Sequence, residues 1–122
     1  MILRGGANIY PAEVEAAVSA HPDVRQCVVV GLPDPELGQR IHAIVELTET
    51  SDAQAVADAM GDFLSQRLSR YKHPESFEAV TVAPRDDTGK VRRTLLRDER
   101  AAWLKENRAF RIFPARPRAR VG

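Results

Sequence analysis

Two runs of β-branched and apolar residues, at positions 24–32 ("VRQCVVVGL") and 40–47 ("RIHAIVEL"), constrain the fold of this chain most. Stretches of this length that are rich in Val and Ile and are bounded by turn residues are typical of buried strands. The seven residues between the runs, "PDPELGQ", have the composition of a tight connection. We therefore predict two strands that pair antiparallel. The second run places alternate apolar side chains on one face: Ile41, Ala43, Val45 and Leu47.

Helical patterns surround this pair. The segment "YPAEVEAAVSAHPDV" predicts a short helix that begins near Pro11, with Glu13 and Glu15 favouring the positive end of its dipole. Residues 53–68 have apolar side chains at helical spacing, and either Ser51 or Asp52 can cap this helix. A third strand ("FEAVTVAP") and a last helix at about 94–107 follow. The order predicts a small α+β domain: a three-stranded antiparallel sheet covered by helices, mainly on one face, plus a lysine-bearing turn near the C-terminus.

Composition excludes several classes of function. The chain has 122 residues, of which 43% are hydrophobic and 29% are charged, and its formal net charge is +1. This length and composition predict one globular domain and no nucleic-acid partner. No segment approaches the twenty or so apolar residues that a membrane span needs. Cys27 is the only cysteine, which favours a reducing, cytoplasmic location. The spacing of His21, His42 and His73 fits neither a metal site nor a nucleophile–base pair.

The C-terminal end differs in composition from the rest. Residues 108–122 ("RAFRIFPARPRARVG") contain five arginines, two prolines and no acidic residue. Prolines interrupt regular structure, and a run of like charges stays solvated. We therefore predict a domain at 1–107 and a basic, disordered tail at 108–122.

Two short segments offer glycine-containing turns. In "DDTGKVRR" a tight turn places Lys90 directly after a glycine. A phosphate-binding loop would need glycine where Pro84 stands and a hydroxyl where Val91 stands, so that interpretation fails. Local sequence alone leaves a solvated lysine at a hairpin tip as the simpler interpretation. In "LRGGANIYPAEVE", consecutive glycines let the backbone approach a ligand closely.

Together and in this order, the glycine segment, the strand pair "HPDVRQCVVVGLPDPELGQRIHAIVEL" and "YKHPESFEAVTVAPRDDTGKVRR" resemble the C-terminal domain of the adenylate-forming enzymes. That family includes acyl-CoA synthetases, luciferases and the adenylation domains of peptide synthetases. The resemblance extends from residue 1 to about residue 100. The segment "GGANIYPAEVE" is most similar to fatty-acyl or aryl-acid CoA ligases.

The resemblance implies roles for individual residues. Lys90 matches the family's adenylation lysine, whose cation would stand beside the substrate carboxylate and the α-phosphate of ATP. This interpretation replaces that of a solvated lysine, since the surrounding match is long.

At the other motif, Gly5, Gly6 and Ala7 would line the tunnel through which the pantetheine arm of coenzyme A reaches the adenylate. Asn8 would lie near the nucleotide. Arg4 could meet a phosphate, and a solvated arginine is an equally open alternative.

The implied function is that of an ATP-dependent acyl-CoA ligase, which converts a carboxylate, ATP and CoA to acyl-CoA, AMP and pyrophosphate through acyl-AMP. The intact enzyme would use ATP, Mg²⁺ and coenzyme A, none of them bound by this chain alone. The family places a hinge residue and a large N-terminal domain before the position of Met1. We therefore expect the missing N-terminal adenylation domain to be the partner and this chain alone to be inactive. The alternatives are a stand-alone interaction module derived from this domain and a luciferase-like or peptide-synthetase-like domain.

Overall fold

The computed structural model describes residues 1–49, 51–80, 83–85, 92–106 and 113–114. The elements follow one another as β1 (Ile2–Arg4), β2 (Ala7–Ile9), α1 (Pro11–Ser19), β3 (Val24–Asp34), β4 (Gly38–Leu47), α2 (Ala53–Ser65), a 3₁₀ turn (Arg70–Lys72), β5 (Ser76–Val80), α3 (Arg93–Lys105) and β6 (Phe113–Pro114).

The long hairpin of β3 and β4 forms the middle of the sheet. Its strands pair antiparallel, with Cys27 opposite Val45 and Val29 opposite Ala43, and the register shifts once near Gln26. This confirms the strand pair predicted from the two apolar runs. Among the described strands, β4 also pairs with β1 and β5, whereas β3 pairs with β4 alone.

The third strand of the predicted sheet runs in the other direction. β5 pairs with β4 in parallel, with His42 opposite Ser76 and Ile44 opposite Glu78. The chain passes between these two strands through α2, and a helical crossover of this length brings a strand back in parallel. The α+β class is confirmed, but the sheet is mixed and contains six strands among the described residues rather than three antiparallel ones.

Helices cover both faces of the sheet because successive residues of β3 and β4, which point to opposite faces, are apolar. On one face, α1 and α2 pack through residues such as Val18 and Met60 against Val29 and Ala43. On the other face, α3 packs against a smaller cluster, which consists of Val28, Val30, Leu32 and Ile44 with Val80, Leu96 and Leu104 packed against them.

The helix starts follow local chemistry. Pro11 occupies the first turn of α1, where its missing N–H costs nothing. At α2, Asp52 accepts hydrogen bonds from the backbone N–H groups of Gln54 (3.0 Å) and Ala55 (3.3 Å). Of the two predicted cap candidates, Asp52 is therefore the residue that caps the helix.

Part of the C-terminal tail joins the sheet. Phe113 and Pro114 form β6, which pairs antiparallel with β5. Both residues fall in the segment predicted to be a disordered tail, whereas they form a strand. The other residues of the predicted tail lie outside the described residues. Within the described part of the chain, no helix combines the length and apolar character needed to cross a membrane.

Candidate functional site

The two glycines of the first motif form the turn of the β1–β2 hairpin. Arg4 is paired with Ala7, which leaves Gly5 and Gly6 as a two-residue loop. Their φ angles are 56° and 88°, and a loop of this kind requires positive φ at both central residues. A Cβ at Gly6 would meet nothing within 4 Å, and one at Gly5 would lie 3.7 Å from Leu37 Cδ2. The backbone conformation, rather than packing within the domain, therefore requires glycine here.

The hairpin is fastened to the sheet next to this turn. Gly5 N–H donates to the carbonyl oxygen of Leu37 (2.8 Å). Arg4 Nε donates to Glu75 Oε2 (2.6 Å), and Glu75 Oε1 accepts the N–H of Ile41 (2.8 Å). Arg4 is thus neither solvated nor unpaired, since it forms a largely buried ion pair within the domain.

The two faces of the hairpin differ. Ile2 and Ile9 are opposite each other and buried, and Ala7, on the same face, packs against the core. Leu3 and Asn8 form the pair on the other face, and both are exposed. Of the residues predicted to serve the ligand, Gly5, Gly6 and Asn8 lie at the surface, whereas the Ala7 side chain points to the core.

Lys90 lies outside the described residues, but the chain on either side of it is described. Arg85 Nη2 lies 3.5 Å from Glu15 Oε1, and Arg93 Nη2 lies 2.5 Å from Glu15 Oε2. Glu15 is 7% exposed and also accepts the N–H of Val29 (2.9 Å). Glu15 is predicted to favour the helix dipole, but only Glu13 lies in the first turn of α1, and Glu15 instead contacts the two arginines.

A groove of about 290 Å³ lies between the start of β1 and the start of α3. Met1 and Ile2 line one side of it, and Arg93 and Arg97 line the other. The strand that leads into the glycine turn and the helix that follows the lysine segment (residues 86–92) therefore share one surface of the domain.

A buried polar network joins β4, β5 and α3 on the second face of the sheet. His42 Nδ1 lies 2.7 Å from Ser76 Oγ, and His42 Nε2 lies 3.0 Å from Glu78 Oε1. Arg100 donates to both oxygens of Glu78, at 2.7 and 2.8 Å. All four residues are at most 5% exposed, and their contacts tie α3 to β4 and β5.

The protonation states of the network follow from its surroundings. Burial is the main influence on the pKa of His42 and lowers it, although Glu78 opposes this. Burial acts to raise the pKa of Glu78, but hydrogen bonds from His42 and Arg100 together outweigh it and leave that pKa lowered. The arrangement is that of a neutral imidazole beside an ionised carboxylate. A carboxylate only accepts, so Nε2–H donates to Glu78 and Nδ1 accepts from Ser76.

The other histidines also have structural contacts. The ring of His21 packs edge-on against Phe63 at 4.9 Å, and His73 Nε2 lies 3.2 Å from the carbonyl oxygen of Leu68. Among the described residues, no group of three His, Cys, Asp or Glu side chains could hold a metal ion.

Comparison with known proteins places these features in a family. Residues 13–90 match the family described as the AMP-binding enzyme C-terminal domain. The long-chain-fatty-acid–CoA ligase FadD13 of Mycobacterium tuberculosis is 38% identical over 106 residues, which cover 85% of this chain and 20% of that protein. The 2-succinylbenzoate–CoA ligase of Bacillus velezensis is 40% identical over 104 residues, with the same coverage.

A comparison with solved structures also matches this chain to a synthetase of this kind. The fatty acyl CoA synthetase of Mycobacterium tuberculosis superposes with a TM-score of 0.72 at 36% identity, over 84% of this chain and 20% of that one. The chain thus spans about a fifth of the length of the proteins it matches. It belongs to the family of AMP-binding enzyme C-terminal domains.

Proposed function

We propose that this chain acts as the C-terminal domain of an ATP-dependent acyl-CoA ligase. In the first step a carboxylate oxygen attacks the α-phosphorus of ATP, pyrophosphate leaves, and acyl-AMP forms. In the second step the thiolate of coenzyme A attacks the acyl carbon and AMP leaves. The observation that carries the proposal is the family match, which spans residues 13–90 and so ends on Lys90.

In this proposal Lys90 serves the first step. Two anions, the carboxylate and the α-phosphate, approach each other as acyl-AMP forms. An ammonium group beside both offsets their repulsion and stabilises the negative charge that concentrates in the transition state. Lysine suits this role because its charge is compact and its stem is flexible.

The glycine turn serves the second step. A side chain at Gly6 would meet no atom of this domain within 4 Å, so it would project into whatever packs against the hairpin. A narrow passage for the pantetheine arm at this surface would therefore be obstructed by a side chain that the domain itself tolerates. Asn8 is exposed on the outer face of the hairpin and can donate to a nucleotide. Arg4 is a weaker candidate, because a phosphate would have to compete with Glu75 for its guanidinium.

The remaining parts of the reaction belong to a partner domain. We propose that the acid, ATP and Mg²⁺ bind to a large N-terminal domain, since this chain spans about a fifth of the length of the ligases it matches. The relatives named above are ligases for different acids, so the acid used here is left open. On this proposal the chain alone is inactive, and a cytoplasmic location stays a prediction.

The test is to replace the matching fifth of the Mycobacterium tuberculosis ligase FadD13 with this chain and to measure ATP-dependent acyl-CoA formation. We expect the fusion to form acyl-CoA, whereas the truncated ligase alone and this chain alone do not. A fusion that is folded and binds ATP, yet forms neither acyl-AMP nor acyl-CoA, would count against the proposal.

A further inference from the structure

In the described part of the chain, side chains from other elements contact the outer edge of β3. Among the described strands, β3 pairs only with β4. On its other edge, Val29 N–H donates to Glu15 Oε2 (2.9 Å), and the Val29 carbonyl accepts from Arg93 Nε (3.2 Å). The Cys27 carbonyl lies 3.5 Å from Arg85 Nη2. These contacts satisfy backbone groups that an edge strand would otherwise leave open.

Glu15 lies at the centre of these contacts. Its Oε1 faces Arg85 at 3.5 Å, and its Oε2 faces Arg93 at 2.5 Å as well as Val29 N–H. A carboxylate with two oxygens can accept from several donors at once, and bonds to charged donors are the stronger ones. One buried side chain on α1 is therefore bound to two arginines that are eight positions apart in sequence.

Those two arginines are the residues that bracket the lysine segment. Arg85 precedes residues 86–92 and Arg93 follows them, and Lys90 lies between. We propose that Glu15 is a positioning residue, whose carboxylate fixes both ends of this segment to the edge of β3 and so sets where Lys90 is presented. The inference rests on the proposed role of Lys90 in adenylation, and adds the residue through which the domain controls that role.

A simpler explanation is that Glu15 only protects the edge of β3 and that the arginines only balance its charge. Val29 N–H needs one acceptor, and one arginine would balance one carboxylate. Arg85 and Arg93 also each contact a backbone carbonyl of β3, so edge protection alone would place both arginines at this edge. The two explanations differ in what they expect when the Glu15 charge is removed.

The first experiment measures the segment without relying on activity. The chain has three lysines, Lys72, Lys90 and Lys105, so a protease that cleaves after lysine reports on the segment and on two reference sites. In the Glu15→Gln variant of this chain we expect cleavage after Lys90 to become about 10- to 100-fold faster, the range set by losing charged hydrogen bonds, with both reference sites unchanged. The matched control is Glu13→Gln on the same helix, where Glu13 is half-exposed and pairs only with Lys72 among the described residues, so Lys105 alone is the reference site for this control.

The second experiment measures the two half-reactions in the ligase fusion described above. Glu15→Gln should slow acyl-AMP formation about tenfold or more and leave transfer from preformed acyl-AMP to coenzyme A unchanged. If Glu15→Gln does not fold, Arg93→Met, at a residue whose side chain is 38% exposed, removes the same contact. In a variant carrying both substitutions the losses should not add, because each breaks one shared bridge.

Each outcome decides the proposal. Selective cleavage after Lys90 together with a selective loss of adenylation supports it. Unchanged cleavage, equal acceleration at all three lysines, or equal loss of both half-reactions overturns it and leaves edge protection as the explanation. If Lys90→Ala in the same fusion does not affect adenylation, the proposed function fails, whereas faster cleavage in Glu15→Gln would still establish the bridge.

Discussion

The bidentate ion pair between Arg100 and Glu78 should be the most costly single polar contact to break. It joins α3 to β5 through bonds of 2.7 and 2.8 Å, and both side chains are 6% exposed. Removing one partner of a buried pair leaves the other charge without compensation, at a cost of about 3–5 kcal/mol. A loss of this size is a large part of the total stability of about 5–15 kcal/mol that is usual for a small domain.

The substitution Arg100→Met removes the positive charge that pairs with Glu78. Methionine keeps an apolar stem near the ring of Trp103, over which the Arg100 guanidinium lies at 4.7 Å. Glu78 then keeps only the donor from His42 Nε2 at 3.0 Å among its described contacts. We expect the free energy of unfolding to fall by about 3–5 kcal/mol. Adding Glu78→Gln removes the stranded charge and keeps an acceptor for His42, so the double variant should be more stable than the single one by about 1 kcal/mol or more.

Urea titrations at pH 7.5, with unfolding monitored by far-ultraviolet circular dichroism, measure these differences in stability. The matched control is Arg97→Met on the same helix, whose ion pair with Asp98 is exposed and should change stability by about 0.5 kcal/mol or less. The reasoning is refuted if Arg100→Met costs less than about 1 kcal/mol. It is equally refuted if the double variant is no more stable than the single one.

Three further outcomes follow from the structure. Because the pKa values of His42 and Glu78 are lowered from their ordinary 6.5 and 4.5, the unfolded chain binds more protons on acidification. Stability should therefore fall as the pH drops below about 6.5 and again below about 4.5, and His42→Gln should flatten the first decline in urea titrations. Gly6→Asn and Gly38→Asn, at φ angles of 88° and 83°, should each lower stability by a similar, modest amount, because asparagine adopts positive φ less readily than glycine. Gly6→Asn should also slow transfer to coenzyme A in the fusion, whereas Gly38→Asn should spare it. Burial raises the pKa of the Cys27 thiol, so a thiol reagent should modify it only as fast as the domain unfolds; rapid modification of the native chain would contradict this.

The central hairpin could be predicted because its signal is local. Alternating apolar residues in β4 and the Val-rich run of β3 determine both strands and their antiparallel pairing. The parallel placement of β5 was missed, although the helix predicted between the second and third strands is the usual sign of a parallel crossover. Strand direction depends on how distant segments pack, and the apolar pattern of β5 is the same for either direction.

The glycine turn was also visible in the sequence, because consecutive glycines are the residues that a two-residue hairpin needs. The contacts of Glu15 and Glu78 could not be predicted, since their partners lie 78 and 22 positions away. A weaker signal was present: His42 and Glu78 are polar residues inside otherwise apolar strands, and buried polar groups need partners. The identity of Lys90 as the presented residue rests on family resemblance, since no local pattern distinguishes it from a solvated lysine.

The most direct test of the account is to measure the two half-reactions separately in the ligase fusion carrying Lys90→Ala. The rate of acyl-AMP formation, monitored through pyrophosphate release, should fall by about 10²–10³, which is the effect of losing one preorganised charge-stabilising group. Transfer from preformed acyl-AMP to coenzyme A should be unchanged, and Lys105→Ala, at the exposed end of α3, should affect neither step. Equal loss of both half-reactions in Lys90→Ala, or no loss of adenylation, would contradict it.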